Sequence, residues 1–224
     1  LELDILRELQ KKERNRLLDA TVIVTLDVDQ FYGIEIEEFP AQIAQVAMWL
    51  TDHQMNQLIS EEFGNYFARL PLTKSATIAC GNALQLDWRE VAPDADYILG
   101  NPPFIGKHYQ SKQQKAELVA CFDGVKSASD LDYVAAWYLK AAQYMTSITP
   151  AFVGASTARE SHTEPSPTKA SRASSLLRPI SAGFVSTNSI TQGEQVGILW
   201  GELLHKYHIK IHFAHRTFKS ANAE

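Results

Sequence analysis

The sequence predicts an α/β fold in which short parallel strands alternate with helices that cover both faces of a sheet. Three observations carry this reading. Short apolar or β-branched runs occur at residues 30–36, 76–80, 96–100 and 183–186. Segments with apolar residues at helical spacing lie between them. The run at 96–100 leads straight into Asn101-Pro102-Pro103-Phe104, a stiff loop at a strand's carboxyl end.

At 224 residues, and roughly 150 residues per domain, the chain suits one good-sized domain or one domain with an appendage. Hydrophobic residues at 45% and charged residues at 21% match globular averages and exclude a wholly disordered chain, a collagen-like repeat and a disulfide-rich miniprotein. No apolar run approaches the ~18 residues of a membrane span. The start, Leu1-Glu2-Leu3-Asp4, lacks the basic-then-apolar layout of a signal peptide, so a cytoplasmic protein is expected. Two cysteines, Cys80 and Cys121, and no zinc-spaced cluster suggest neither a disulfide framework nor a structural metal. The net charge of -5 argues against broad nonspecific polyanion binding, though a local basic strip is compatible with it.

Taken in order, Leu3, Leu6, Leu9, Leu17 and Leu18 space an opening amphipathic helix over residues 1–18. Residues 21–26 read either as a strand or as an insertion. Residues 30–36 read as a buried strand ending in acid, and Pro40 suits the first turn of the helix that follows, with Ile43, Val46, Ala47 and Leu50 repeating to about Ile59. A strand at 76–80 breaks at Gly81-Asn82, and a polar connection follows the 101–104 loop. Leu131, Val134, Ala135, Tyr138, Leu139 and Ala142 space a helix over 131–145. Residues 154–182 are nearly devoid of large apolar side chains and read as a mobile insertion, flanked by the echoing runs 151–157 and 182–187. The strand resumes at 183–186, residues 194–207 look helical, and 209–213 alternate as a late strand.

The chemistry concentrates in the diproline loop. Ligands bind at the carboxyl ends of strands in open α/β sheets, and this loop offers a side-chain amide, a fixed carbonyl and an aromatic face. Those parts suit a planar amine, whose lone pair is delocalised into its ring. If the Asn101 side-chain oxygen and the Pro102 carbonyl each accept an N–H bond, the nitrogen can pyramidalise and attack in line while Phe104 stacks on the ring. The plainer alternative is a rigid turn with an apolar plug. The cluster Lys206, Lys210, Arg216 and Lys219, with His205, His208, His212 and His215, reads as a solvated face or as a phosphate-contacting strip; its mixed helix and strand spacing does not suit a metal.

Residues 31–145 and 183–219 resemble the class I S-adenosylmethionine-dependent DNA adenine-N6 methyltransferases, in particular the large single-chain restriction-modification enzymes of the MmeI-like type. Tyr32-Gly33-Ile34-Glu35 is similar to the second motif of that family, Gly81-Asn82 to the third and Asn101-Pro102-Pro103-Phe104 to the fourth. Leu131-Asp132-Tyr133, the run from Phe184 to Asn188, and the run from Phe213 to Phe218 resemble the fifth, sixth and eighth. The resemblance implies a three-layer Rossmann-like sheet, incomplete at its N-terminal, first-strand end, and S-adenosylmethionine as cofactor. It implies Glu35 on the cofactor ribose, Asn82 near its adenine and Asn101 in contact with the cofactor. Asn101, Pro102 and Phe104 become catalytic, with Phe104 and Phe218 against a flipped adenine; for Phe218, core packing is an equal alternative. DNA is the implied partner, through a parent protein, and residues 1–224 form a partial catalytic domain carrying the insertion at 154–182.

The chain departs from the family at its front. The first motif is a Gly-rich loop, yet the first glycine is Gly33. A fragment starting just after that motif, or a truncated reading frame, is the expectation, with the central strand lost and one pocket wall open. With the eighth-motif match so near residue 224, a target-recognition domain is expected to lie outside these residues. Two alternatives stand beside DNA methylation: amino methylation of a protein glutamine or an RNA base, and a noncatalytic remnant.

Overall fold

The computed structural model describes residues 4–5, 7–8, 24–63, 74–148 and 179–215. Most of the opening helix, the bulk of the 154–182 insertion, Arg216, Phe218 and Lys219 lie outside the described residues. The chain divides into two units, Leu1–Ala92 and Pro93–Glu224.

In the first unit, Asp27 caps a 3₁₀ turn at Val28–Gln30: its carboxylate accepts the Val28 N–H, and its own N–H donates to the Gln30 side chain. That turn takes up Gln30, the residue that the sequence pattern assigned to the start of a strand. The strand β1 is therefore shorter than expected, Tyr32–Glu35. Residues 24–26 are irregular. Helix α1, Glu38–Phe63, carries Pro40 in its first turn, where a missing N–H costs nothing. It runs past Ile59 because Ile59 and Phe63 are both buried. Ile43, Val46 and Leu50 are each more than half exposed, so the apolar stripe marks the helical period without marking the buried face. Strand β2, Thr77–Cys80, pairs with β1 in parallel, Tyr32 opposite Thr77 and Glu35 opposite Cys80. The Trp49 indole N–H donates to the Lys74 carbonyl at 2.8 Å, tying α1 to the approach of β2. A short helix α2, Trp88–Val91, starts from the Asp87 cap.

In the second unit, β3, Tyr97–Gly100, leads into the diproline loop. Helix α3, Lys112–Cys121, occupies part of the expected polar connection; its start is a capping box in which the Ser111 hydroxyl accepts from the Gln114 N–H and Gln114 reaches back to the Ser111 N–H. Helix α4 spans Ala135–Ile148, beginning four residues later than the periodicity predicts. The reason lies in the backbone. The N–H of Asp132 donates to the Gln195 side chain and that of Tyr133 to the Ile105 carbonyl, so Leu131, Asp132 and Tyr133 form a buried non-helical entry. Leu118, Phe122, Leu131, Val134 and Leu139 are all buried in the core of this unit, each such side chain contributing about 1.5–3 kcal/mol.

Strand β4, Ser181–Phe184, pairs in parallel with β3, Tyr97 opposite Ser181 and Gly100 opposite Phe184. It starts two residues inside the stretch assigned to the insertion. Ladder pairing uses main-chain groups, and Ser181 N–H reaches the Asp96 carbonyl at 3.0 Å, so the lack of large side chains does not prevent it. The strands thus form two two-stranded parallel sheets, one in each unit. Residues 196–206 are helical as expected but wound as π turns, Val196–Trp200 and Glu202–Lys206, with Gly197 and Gly201 weakening the α-helical preference. Residues 209–213 form no strand; the alternating pattern needs a ladder partner, and none pairs with it among the described residues. No helix among the described residues is long and apolar enough to cross a membrane.

Two outcomes follow from these contacts. Ser111→Ala removes the cap of α3 and is expected to lower the unfolding free energy by about 1 kcal/mol in urea titrations; an unchanged midpoint would show that the cap is idle. Burial first, and then the hydrogen bond to the Glu117 carboxylate, hold the Tyr133 hydroxyl well above its ordinary pKa. Its contribution is complete below about pH 10, the unfolded tyrosine value, and is lost as pH rises beyond it, because the folded state there binds the extra proton. The stability advantage of the wild type over Tyr133→Phe should therefore hold constant below about pH 10 and shrink as pH rises above it, by urea titration at each pH; an advantage that stays unchanged above that pH would show that the hydroxyl is not held in its protonated form.

Candidate active site

The two strands of each sheet are parallel, so both carboxyl ends of a pair open at one edge. In the first unit this edge gathers Glu35 and Asn82. Glu35 ends β1 opposite Cys80, and the Gly81 N–H donates to the Glu35 carbonyl at 2.8 Å. One Glu35 carboxylate oxygen accepts the Ile36 N–H at 2.9 Å; the other has no partner among the described residues. The Asn82 side-chain oxygen accepts the Leu84 N–H at 2.9 Å, and the Asn82 carbonyl accepts from Gln85 and Leu86. Asn82 therefore shapes the turn in which it stands. Both residues are half-buried.

In the second unit the same kind of edge carries the diproline loop. Asn101 is exposed, Pro102 is buried, and Phe104 is 46% exposed. Pro102 anchors the loop while Asn101 and Phe104 face outward. Neither the Asn101 side chain nor the Pro102 carbonyl has a hydrogen-bond partner among the described residues. The loop starts from a constrained point: a Cβ on Gly100 would lie 2.8 and 2.9 Å from two ring carbons of Phe184, the residue opposite it in the ladder. That ring lies against Tyr138 of α4, with the centroids 4.9 Å apart and the planes tilted by 48°. The Val185 N–H donates to the Gly100 carbonyl at 3.1 Å, and the Tyr138 hydroxyl donates to Ser186 at 3.1 Å. The turn at residues 185–189 thus lies beside Asn101, with Thr187 and Ser189 hydroxyls 2.6 Å apart.

The sequence pattern placed Tyr138 among helix-core residues and did not assign Gly100 or Ser186 to the site. Gly100 had a local signal, a glycine closing an apolar strand before asparagine; the Tyr138 to Ser186 bond, 48 residues apart, had none. Of the basic cluster, Lys206 is exposed and pairs with Glu202 at 3.2 Å. Among the described residues no group of three or more histidine, cysteine, aspartate or glutamate side chains stands close enough to hold a metal.

The family model described as "MmeI, DNA-methyltransferase domain" matches residues 1–162 and 168–224. DNA methyltransferase A of Bacillus subtilis (strain 168) is 37% identical over 99% of this chain and 22% of its own length. The solved structure of the type IIL restriction-modification enzyme MmeI in complex with DNA is 52% identical, with a TM-score of 0.72, over 93% of this chain and 24% of that one. The chain thus spans about a quarter or less of the relatives that it matches.

The contact between Gly100 and Phe184 yields a test. Gly100→Ala forces the ring off Tyr138 and is expected to cost about 1–3 kcal/mol of stability. Adding Phe184→Leu should return part of that loss; strictly additive losses in urea titrations would show that the ring is not the obstacle.

Proposed function

Because the chain belongs to the MmeI DNA-methyltransferase domain family, we propose that it transfers the methyl group of S-adenosylmethionine to the N6 amino nitrogen of an adenine extruded from duplex DNA. The observation that carries this reading is the diproline loop at the carboxyl end of β3. There an exposed asparagine amide and an unpartnered proline carbonyl stand next to each other, with an aromatic ring two residues on. A three-layer Rossmann-like arrangement belongs to the same reading, as does DNA binding through the larger polypeptide of which such domains form part.

The residues at the edge of the first unit fit the cofactor. The unpartnered Glu35 carboxylate oxygen suits the hydroxyl donors of a ribose, and Asn82, two residues beyond the ladder partner of Glu35, stands at the same strand end for the adenine. When bound, S-adenosylmethionine supplies an electrophilic methyl carbon. The loop prepares the nucleophile. Asn101 Oδ1 and the Pro102 carbonyl oxygen each accept one N6 hydrogen, which draws the nitrogen out of conjugation and directs its lone pair outward. Phe104 stacks on the base and fixes its plane. A carboxamide oxygen accepts a hydrogen bond without being a base at neutral pH, so Asn101 positions the amino group and does not remove its proton.

The test uses the full polypeptide carrying this chain, methyl-labelled cofactor and duplex DNA. Label is expected in N6-methyladenine on nucleoside analysis. Asn101→Ala is expected to lower kcat on the order of 100-fold while cofactor affinity changes little. Label recovered in cytosine, RNA or protein would overturn the substrate assignment, and full turnover by Asn101→Ala would overturn the role of the loop.

A further inference from the structure

We propose that Asp132, braced by Gln195 and assisted by Gln110, is a positioning residue that holds the distal half of the diproline loop, so that its loss lowers turnover without weakening cofactor binding. This inference rests on the reading of the loop as catalytic. The starting point is a deficiency in the loop itself. Pro102 and Pro103 have no N–H, and beyond them the backbone bonds that the segment makes within itself, among the described residues, are short-range, Ile105 N–H to the Pro103 carbonyl and Tyr109 N–H to the Gly106 carbonyl. Such bonds close turns; they do not fix where the segment sits.

The placement comes from the non-helical entry to α4. Asp132 Oδ1 accepts the Lys107 N–H at 2.9 Å. The Tyr133 N–H donates to the Ile105 carbonyl at 2.9 Å. Gln110 Nε2 donates to the Leu131 carbonyl at 2.9 Å. Residues 105, 107 and 110 are thus pinned to 133, 132 and 131, an ordered set of cross-links running antiparallel along two irregular segments. Gln195 completes it from a third segment, its Oε1 accepting the Asp132 N–H at 3.0 Å.

Burial makes the arrangement costly to keep without a use. Asp132 is 7% exposed and Gln110 is 9% exposed, and they are the buried polar side chains of the second unit among the described residues. A buried carboxyl group loses hydration that an apolar side chain would not need. An apolar residue here would serve the core as well, but it would leave the part-buried Lys107 N–H without this acceptor. The Ile105 and Leu131 carbonyls both require the NH2 end of Gln110, which sets the amide orientation and leaves Oε1 buried without a partner.

The experiment compares Asp132→Ala, Asp132→Asn and Asn101→Ala in the full polypeptide, measuring kcat, KM for duplex DNA and cofactor affinity by calorimetry. Asp132→Ala is expected to lower kcat by about tenfold or more, since an ångström of misplacement costs on the order of 100-fold, with cofactor Kd within about twofold. Asp132→Asn keeps an acceptor oxygen at the Lys107 N–H and is expected to restore most of kcat. Turnover of Asp132→Ala within about twofold of wild type, or an equal loss in Asp132→Asn, overturns the proposal. Should Asp132→Ala fail to fold, Gln195→Ala, which removes only the brace, is expected to lower kcat about threefold or more with unchanged cofactor affinity, and an unchanged kcat there overturns the proposal. An active Asn101→Ala would instead overturn the catalytic reading of the loop, whatever the Asp132 variants do.

Discussion

A backbone with two successive prolines is rigid within itself and poorly connected to its surroundings. Pro102 and Pro103 have fixed φ angles and no N–H, so neither a ladder nor a helix can hold them. Everything useful about residues 101–104 depends on what fixes the two ends. At the front, the Phe184 ring occupies the space that a side chain on Gly100 would take, and Val185 closes the ladder behind it. At the rear, the Asp132 carboxyl and the Tyr133 N–H hold Lys107 and Ile105. The buried Pro102 ring sits between these anchors, and Asn101 and Phe104 point outward as a consequence.

The parallel pairing has a second effect. In an antiparallel hairpin the carboxyl ends of neighbouring strands lie at opposite edges; in a parallel pair they share one. Glu35 and Asn82 share such an edge in the first unit, and the diproline loop and the 185–189 turn share one in the second. Chemistry-bearing residues far apart in sequence are thereby gathered without any side-chain contact being needed to gather them. This is why an α/β chain can be read for function from the residues that immediately follow its strands.

What was legible in the sequence was local. The strands over 76–80 and 96–100, the helix after Pro40 and the outward-facing loop after Gly100 follow from periodicity, proline geometry and strand ends. The cap of α3 was equally local, since Ser111 and Gln114 have capping-box spacing, but the polar composition around them hid it. What sequence spacing could not supply was long-range main-chain bonding. Gln195 reaches Asp132 across 63 residues, and that bond, with Tyr133 N–H turned to Ile105, delays the start of α4. The pairing of Ser181 and the missing pairing of residues 209–213 are of the same kind, because a ladder is decided by the neighbour and not by the strand. On α1 the apolar stripe gave the helix but not its buried face, since Ile43, Val46 and Leu50 are exposed.

The account turns on where an adenine amino group rests. A crystal structure of the full polypeptide with duplex DNA and the demethylated cofactor product would locate it. The prediction is a base out of the helical stack, Phe104 parallel to it, and N6 within about 2.6–3.2 Å of both Asn101 Oδ1 and the Pro102 carbonyl oxygen. A base still paired in the duplex, or an amino nitrogen held by other groups while Asn101 faces solvent, would contradict it.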